Sequence, residues 1–296
     1  MERRKLEELH LIDDFLMNCV AGDPFVGEAC CKRILSVLLQ KEISHVRITS
    51  QRVIPGVDTN LRGIKMDVEV EERVEQNGTE NVACVYDIEP QTHNNSDFPH
   101  RNRFYQAKID SRRLPIGEKD FKKLPDLYVI MIMNFDPFGK DRMVYTIKNH
   151  CIEVPDMEYQ DGLQFIYFNT EGTVGGSKDI KNMLDYMQKS RVSDEATKEI
   201  DEYVNSVKSD PTIMEGLMTL GEHFDIEREE GRLSAQRQCV IELLEDLGEV
   251  PENIIDSLEH ITASKELSQL LKAAAKANSI EEFEVTLDEI FDVTQK

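Results

Sequence analysis

Polar side chains alternate with apolar ones in the segment CVYDIEPQTH, where Asp87, Glu89 and Gln91 occupy every second position. Side chains two residues apart on a strand point to the same face. These three side chains therefore share one face of the predicted strand, and Tyr86 and Ile88 share the other. A row of oxygen-bearing groups of this kind either faces water or binds something.

A preceding segment, GIKMDVEVEE, shows the same alternation and places Asp67 on its polar face. Asn77-Gly78 between the two segments is a strong hairpin signal, so Asp67 and Glu89 can point into one space from adjacent strands. Mg²⁺ prefers oxygen ligands, and a bound divalent cation neutralises charge on a phosphate and lowers the pKa of a bound water. The side chain of Gln91 can then orient that water. Taken alone, however, such charges favour solvated carboxylates over a metal site.

The elements that position these residues are predicted by periodicity. The chain has 296 residues, of which 40% are hydrophobic, and this is enough for one large domain or two of ordinary size. An N-terminal helical pattern is interrupted at residues 22–24, which predicts two helices. A further helix is predicted at residues 96–114, beginning near Ser96 or Asp97. Strands are predicted at residues 45–54, 63–72, 82–90, 127–135, 142–149 and 163–169. We expect an α/β fold with a mixed sheet of about five strands flanked by helices.

The pattern changes after Gly175-Gly176. From Ser177 onward the periodicity is helical, with breaks expected at residues 210–211, 231, 248–251 and 278–279. Residues 193–296 contain 26 acidic and 9 basic residues. We therefore predict an α/β domain at residues 1–176 and an acidic helical region at 177–296.

The formal net charge of the whole chain is -22, from 57 acidic and 35 basic residues. That charge opposes non-specific contact with nucleic acid or with anionic lipid. The charge is uneven, because residues 101–148 hold 11 basic and 6 acidic residues. The six cysteines form no CxxC pair, and the longest apolar run has the length of a strand rather than of a membrane span. We expect reduced thiols, no membrane partner and a cytoplasmic location.

The order of these motifs resembles the PD-(D/E)XK nuclease-like family of putative transposases, which is related to the recombination-promoting nucleases of bacteria. Members carry an Asp on one strand, an E-x-K or E-x-Q element on the next, a helix with an Arg-Tyr motif, and a strand ending in F-D-x-F. The matching positions here are Asp67, Glu89, Gln91, Arg103, Tyr105, Asp136 and Phe138. The resemblance covers about residues 10–170 and implies a restriction-endonuclease-like core.

The resemblance also implies a metal-dependent DNA endonuclease, associated with mobile elements or recombination, that hydrolyses phosphodiester bonds. Asp67 and Glu89 would bind Mg²⁺ or Mn²⁺, and Asp87 would support them. Gln91 stands where the wider superfamily has a lysine, and its neutral amide cannot provide that charge. Lys65 is one candidate for the missing charge, although an exposed lysine is the simpler interpretation. Glu28, on a helix before the sheet, is the candidate for a third acidic ligand.

Basic residues in and after the predicted helix at 96–114 are candidates for contacts with DNA phosphates. They are Arg101, Arg103, Lys108, Arg112 and Arg113. A solvated helix face with internal ion pairs explains them equally well, and Arg103 stands apart because it matches the family motif. A symmetric homodimer would suit the cutting of both strands of a duplex.

Three alternatives stay open. The chain can be a catalytically weak or silent member of the fold, acting as a nucleic-acid-binding or protein-interaction module. Its acidic helices can make it a scaffold. Its substrate can also be RNA, because a two-carboxylate metal site acts on any phosphodiester.

Overall fold

The structure is a computed structural model. It describes residues 4–54, 64–76, 78–94 and 97–294. The predicted turn after residue 54, Asn77 of the predicted hairpin turn and the candidate helix start at Ser96 lie outside these ranges.

A six-stranded mixed sheet forms the centre of the first part of the chain. Its strands are β1 (His45–Ile54), β2 (Ile64–Gln76), β3 (Thr79–Gln91), β4 (Asp126–Met133), β5 (Val144–Ile147) and β6 (Leu163–Asn169). Their spatial order is β1-β2-β3-β4-β6-β5. The pairs β1–β2, β2–β3 and β5–β6 are antiparallel, whereas β3–β4 and β4–β6 are parallel. Each of the six predicted segments forms a strand, and the predicted fold class is confirmed.

The described residues also form α-helices. They are α1 (Asp14–Gly22), α2 (Gly27–Leu39), α3 (Phe98–Asp110), α4 (Lys178–Lys189), α5 (Glu195–Lys208), α6 (Pro211–Glu245), α7 (Glu252–His260), α8 (Ser264–Ala274) and α9 (Ile280–Thr294). The predicted interruption at residues 22–24 separates α1 from α2.

Strands β2 and β3 form the predicted hairpin. Val68 lies opposite Ile88, and Glu69 lies opposite Asp87. Gly78, between the strands, has a φ of 75°, a conformation that glycine adopts without a Cβ clash. Because opposite residues of an antiparallel pair share a face, this register puts Asp67, Glu69, Asp87 and Glu89 on one side of the hairpin.

Helix α3 covers one face of the sheet. Ile109 packs in a buried cluster with Val85 and Val129, and Phe98 packs against Met131. These strand residues occupy alternate positions, as a half-covered strand requires. The packing holds α3 beside the end of β3 that carries the polar residues.

Helices α1, α2, α4 and α5 pack together on the other side of the sheet. The ammonium group of Lys41, just after α2, lies 5.0 Å from the ring centroids of both Tyr86 and Tyr128. The backbone amide of Ile12 donates a hydrogen bond to the carbonyl of Met187 at 2.9 Å. Helices α4 and α5 are therefore part of the layer that covers the sheet.

The chain divides into two compact units, Met1–Glu215 and Gly216–Lys296. The sequence placed a domain boundary at residues 176/177, before α4, whereas the structure keeps α4 and α5 with the sheet. Their buried apolar side chains account for this division. We propose that the α/β domain includes both helices.

The second unit has an apolar core of its own. Val240, Ile254, Leu267 and Phe283 are buried together there. Among the predicted helix breaks, those at residues 210–211, 248–251 and 278–279 fall between helices. The prediction of a break at Gly231 is wrong, because α6 continues through it; a glycine inside a helix costs only about 1 kcal/mol.

The six cysteines are free, and Cys30, Cys31 and Cys84 are buried. In the described part of the chain, no helix combines the length and apolar character that a membrane crossing requires.

Candidate active site

Asp67 on β2 and Glu89 on β3 are in direct contact. The backbone amide of Asp67 donates a hydrogen bond to Oε1 of Glu89 at 3.0 Å. This contact continues the hairpin register, in which Val68 pairs with Ile88. The structure thus brings together the two residues that the sequence singled out as metal ligands.

Asp87 lies on the same strand as Glu89 and opposite Glu69. Its exposed fraction is 0%, and neither carboxyl oxygen has a hydrogen-bond partner among the described residues. Burial, followed by the charges of Glu69 and Asp67, raises the pKa of Asp87 well above its ordinary value. A carboxyl group in this position must bind either a proton or a cation, because a bare buried charge is too costly.

The other two carboxyl groups are also strained electrostatically. Burial, and then the charges of Asp87 and Asp67, raise the pKa of Glu89 well above its ordinary value. Burial, and then the charge of Asp14, raise the pKa of Asp67 to about 6. Carboxyl groups with raised pKa values that lie together are typical of functional sites, and a divalent cation would relieve their repulsion.

Asp14 and Asn18 of helix α1 complete this group, and the sequence analysis did not select them. The charge of Asp14 acts on Asp67, and the Asn18 amide lowers the pKa of Asp67 by hydrogen bonding. Asn18 is buried, and its Oδ1 has no partner among the described residues. The spacing of four residues puts both side chains on one helix face, which is the sequence signal that would have found them.

The structure does not bring Glu28, the predicted helical ligand, to this group. Glu28 is an exposed residue in the first turn of α2. Within the described residues no hydrogen bond or ion pair connects it to Asp67 or Glu89. Asp14, on the preceding helix, takes the place that was predicted for Glu28.

Arg101 of helix α3 contacts the polar end of β3. Its Nη2 donates to Oε2 of Glu89 at 2.7 Å, and its Nη1 donates to Oε1 of Gln91 at 3.1 Å. Its guanidinium carbon lies 5.0 Å from the ring centroid of Tyr105. The Tyr105 hydroxyl donates to the backbone carbonyl of Lys65 at 3.2 Å, so α3 is tied to both strands of the hairpin.

Arg113, a predicted phosphate contact, is engaged inside the protein. Its Nη2 lies 2.7 Å from Oε2 of Glu69, and its Nη1 binds Glu71. Glu69 also binds Arg52, and Glu71 also binds Arg73. The Arg113 side chain is 12% exposed, so these ion pairs lie mostly beneath the surface, whereas a contact with a DNA phosphate needs an accessible guanidinium.

The other three predicted phosphate contacts are positioned differently. Arg103 and Arg112 are exposed, and among the described residues no hydrogen bond or ion pair involves either guanidinium group. The ammonium group of Lys108 lies 5.5 Å from the ring centroid of Phe104. Arg103 and Arg112 are therefore accessible to solvent, and Lys108 is partly so.

The family model of PD-(D/E)XK nuclease family transposases matches residues 31–208, which is more than half of the chain. The chain belongs to this family. A search of curated proteins and a search of solved structures gave no match. The matched range includes Asp67, Glu89, Gln91 and Arg101, whereas Asp14 precedes it. The family supports a role related to nucleases and transposases.

The F-D-x-F match in this PD-(D/E)XK chain is part of a turn. The Asp136 carboxylate accepts hydrogen bonds from the backbone amides of Phe138 and Asp141 at 3.0 and 2.6 Å, and from the Tyr145 hydroxyl at 2.7 Å. Phe138 packs edge-on against Tyr145 and Tyr167. This motif therefore stabilises the connection after β4.

PD-(D/E)XK nucleases generally use divalent metals, and the donor set of this chain suits one. Carboxylate oxygens are the hard ligands that Mg²⁺ and Mn²⁺ prefer, and both oxygens of Asp87 lack a hydrogen-bond partner among the described residues. As the described side chains stand, no three acidic, histidine or cysteine residues form a group that could hold a metal ion. One oxygen of Glu89 accepts a hydrogen bond from Arg101.

Proposed function

We propose that this protein is a divalent-metal-dependent DNA endonuclease that hydrolyses phosphodiester bonds, in association with mobile elements or recombination. The observation that carries the proposal is the carboxyl group cluster of Asp67, Asp87 and Glu89 on adjacent strands. Asp87 and Glu89 are buried, both Asp87 oxygens lack a hydrogen-bond partner among the described residues, and burial raises the pKa of all three groups. Membership of the PD-(D/E)XK family supports the same conclusion.

In this proposal Asp67 and Glu89 would hold Mg²⁺ or Mn²⁺, with Asp87 and Asp14 beside them. When bound, the ion would polarise a phosphate oxygen and lower the pKa of a bound water. The burial of Asp87 and Glu89 would keep the charge of the ion weakly screened. The amide of Gln91, at the end of the same strand, would position the attacking water.

The DNA-binding surface in this proposal lies on α3 and the turn that follows. Arg103, Lys108 and Arg112 would contact phosphates, and the internal ion pairs of Arg113 would hold the underlying hairpin in place. The acidic second unit would stay away from the duplex, because its charge repels phosphates. A homodimer would let two such sites cut opposite strands.

The cytoplasmic location remains part of the proposal. Its support is the set of free cysteines, since disulfides persist mainly in oxidising compartments. The duplex substrate would then be intracellular DNA.

The test is plasmid cleavage by the full chain with Mg²⁺, with Mn²⁺ and with EDTA, alongside Asp67→Asn and Glu89→Gln. Glu75→Gln is the matched control, because Glu75 is an exposed carboxylate on the same strand as Asp67. We expect metal-dependent nicking by the wild type and by the control, and loss of at least 100-fold in the two site variants. Equal nicking by all four proteins would disprove the proposed site.

A wild-type protein that binds DNA without cutting it would instead favour a silent nuclease fold that acts as a binding module. The same assay with single-stranded and double-stranded RNA distinguishes DNA from RNA as the substrate.

A further inference from the structure

The carboxyl group cluster and Gln91 carry no positive charge of their own. Hydrolysis of a phosphodiester builds negative charge on the phosphate oxygens, and fixed donors aimed at that charge are a main source of catalysis. Among the described residues, Arg101 and Lys65 are the candidate cations close to the cluster, and the structure distinguishes between them.

We propose that Arg101, reaching across from helix α3, is the phosphate-binding cation of this site and takes the position that a charged side chain at residue 91 would occupy. This inference rests on the proposed nuclease function. Its guanidinium contacts Glu89 and Gln91 together, so it occupies the space at the end of β3 into which residue 91 points.

The position of the guanidinium is fixed from several sides. Glu89 and Gln91 accept hydrogen bonds from its two terminal nitrogens. The Tyr105 hydroxyl accepts from Nη2 at 3.2 Å and itself donates to the Lys65 carbonyl. A guanidinium has five N–H donors, and these contacts use three of them, so two remain for the oxygens of a phosphate. The Arg101 side chain is 30% exposed, and its fixed planar shape suits phosphate binding.

Lys65 is the weaker candidate. Its side chain is exposed, and in the described chain no hydrogen bond or ion pair is made by its ammonium group. A flexible exposed lysine adds charge to the region but does not define where a phosphate lies.

The contact with Glu89 has a second consequence. A metal ion at Asp67 and Glu89 would compete with the guanidinium for the same carboxylate, so Arg101 should weaken metal binding while it accelerates cleavage. A residue that merely maintained the fold would favour both metal binding and cleavage. Whether replacement of Arg101 strengthens or weakens metal binding therefore distinguishes a catalytic role from a structural one.

The experiment compares the wild type, Arg101→Gln, Lys65→Gln and the double variant Arg101→Gln with Gln91→Lys, all in the full chain. Single-turnover plasmid cleavage is measured with Mn²⁺, Mn²⁺ uptake is measured by calorimetry, and binding of a short duplex is measured by fluorescence anisotropy in Ca²⁺. We expect Arg101→Gln to cleave about 100-fold more slowly, to bind Mn²⁺ about 5-fold more tightly and to bind duplex about 5-fold more weakly. Lys65→Gln should stay within about 3-fold of the wild type in all three assays.

The double variant tests the position of the charge. A lysine at residue 91 enters the space that the guanidinium leaves. We therefore expect the double variant to cleave at least about 10-fold faster than Arg101→Gln alone. Failure of this rescue, together with weaker Mn²⁺ uptake by Arg101→Gln, would show that Arg101 only maintains the fold. A larger defect in Lys65→Gln than in Arg101→Gln would assign the charge to Lys65 and overturn the inference.

The proposed function and the inference fail in different assays. A wild type that binds Mn²⁺ and cleaves no plasmid disproves the nuclease function. In that case the duplex-binding comparison still decides whether Arg101 contacts phosphate, because it requires no cleavage.

Discussion

The carboxylate of Glu89 accepts a hydrogen bond from the backbone amide of Asp67 at 3.0 Å. Glu89 therefore helps to hold in place the strand that carries Asp67. This contact brings two carboxyl groups into a space where burial raises both pKa values. The charge of Asp14 adds to the effect at Asp67, and the charges of Asp87 and Asp67 add to it at Glu89. The folded chain therefore holds an arrangement that is unfavourable at neutral pH in the absence of a cation.

The first prediction concerns the pH dependence of stability. Because the pKa of Asp67 is raised from 3.8 to about 6, the folded state binds this proton more tightly than the unfolded state. The resulting stabilisation is present below pH ~4 and is lost as the pH rises through about 6. In EDTA, Asp67→Asn should therefore gain stability relative to the wild type between pH 4 and pH 7.5, by about 2 kcal/mol after allowance for partial exposure.

Urea denaturation at both pH values measures the free energy of unfolding of each protein. Glu71→Gln is the control, because its stability relative to the wild type should change with pH in the opposite direction. Burial acts to raise the pKa of Glu71, but hydrogen bonds from Arg73 and Arg113 outweigh it, and the pKa is lowered. Glu71→Gln should thus lose stability relative to the wild type as the pH rises. Parallel curves for Asp67→Asn and the wild type would contradict the first prediction.

The second prediction distinguishes Asp14 from Glu28. The charge of Asp14 acts on Asp67, whereas the charge of Glu28 is not among those that shift the pKa of Asp67 or of Glu89. Asp14→Asn should weaken Mn²⁺ uptake about 10-fold, which is typical for loss of a group that supports metal ligands. Glu28→Gln should leave the uptake unchanged. Calorimetry on the full chain measures both, and a larger loss for Glu28→Gln would restore the assignment made from the sequence.

The third prediction concerns the ion pairs under α3. Arg113 is 12% exposed at its side chain and binds the almost fully buried Glu69. Replacing it with methionine keeps the aliphatic stem but removes a partner from a buried carboxylate, which should cost about 3 kcal/mol. Arg112→Met, next to it and exposed, should stay within about 0.5 kcal/mol of the wild type. Urea denaturation at neutral pH compares the two, and similar midpoints for both variants would show that the Arg113 ion pairs do not stabilise the fold.

Local pattern in the sequence was sufficient to predict the hairpin and its acidic face. The alternation around Asp67 and Glu89, with a glycine turn between them, leaves few other registers, because a slip of one residue would turn every buried side chain outward. The break between α1 and α2 was also predictable from local sequence, because Gly22 and Pro24 interrupt the helical pattern there. The position of β6 between β4 and β5 was not predictable, since it depends on contacts between distant segments.

The site was predictable only where its residues lie on the hairpin. The sequence supplied Asp67, Glu89 and Gln91, but the orientation of a helix relative to the sheet decides whether Asp14 or Glu28 reaches them. The same limit applies to the basic residues. Arg112 and Arg113 are neighbours in the chain, and only the packing of α3 makes the second of them an internal ion-pair partner.

The last prediction concerns how much of the chain the α/β domain needs. Helices α4 and α5 bury Met183, Leu184, Ile200 and Val204 against the rest of the first unit. Each such side chain contributes about 1.5–3 kcal/mol, and the total stability of a domain is only about 5–15 kcal/mol. A chain that ends at residue 176 should therefore lack a cooperative unfolding transition, whereas a chain that ends at Glu215 should unfold cooperatively.

Circular dichroism during thermal unfolding measures both truncated chains against the full chain. The chain ending at Glu215 is the matched control, because it also lacks the second unit but keeps α4 and α5. If the shorter chain unfolds cooperatively at the same midpoint as the longer one, the two helices are dispensable. The boundary predicted at residue 176 would then describe the folding unit better than the division at residue 215.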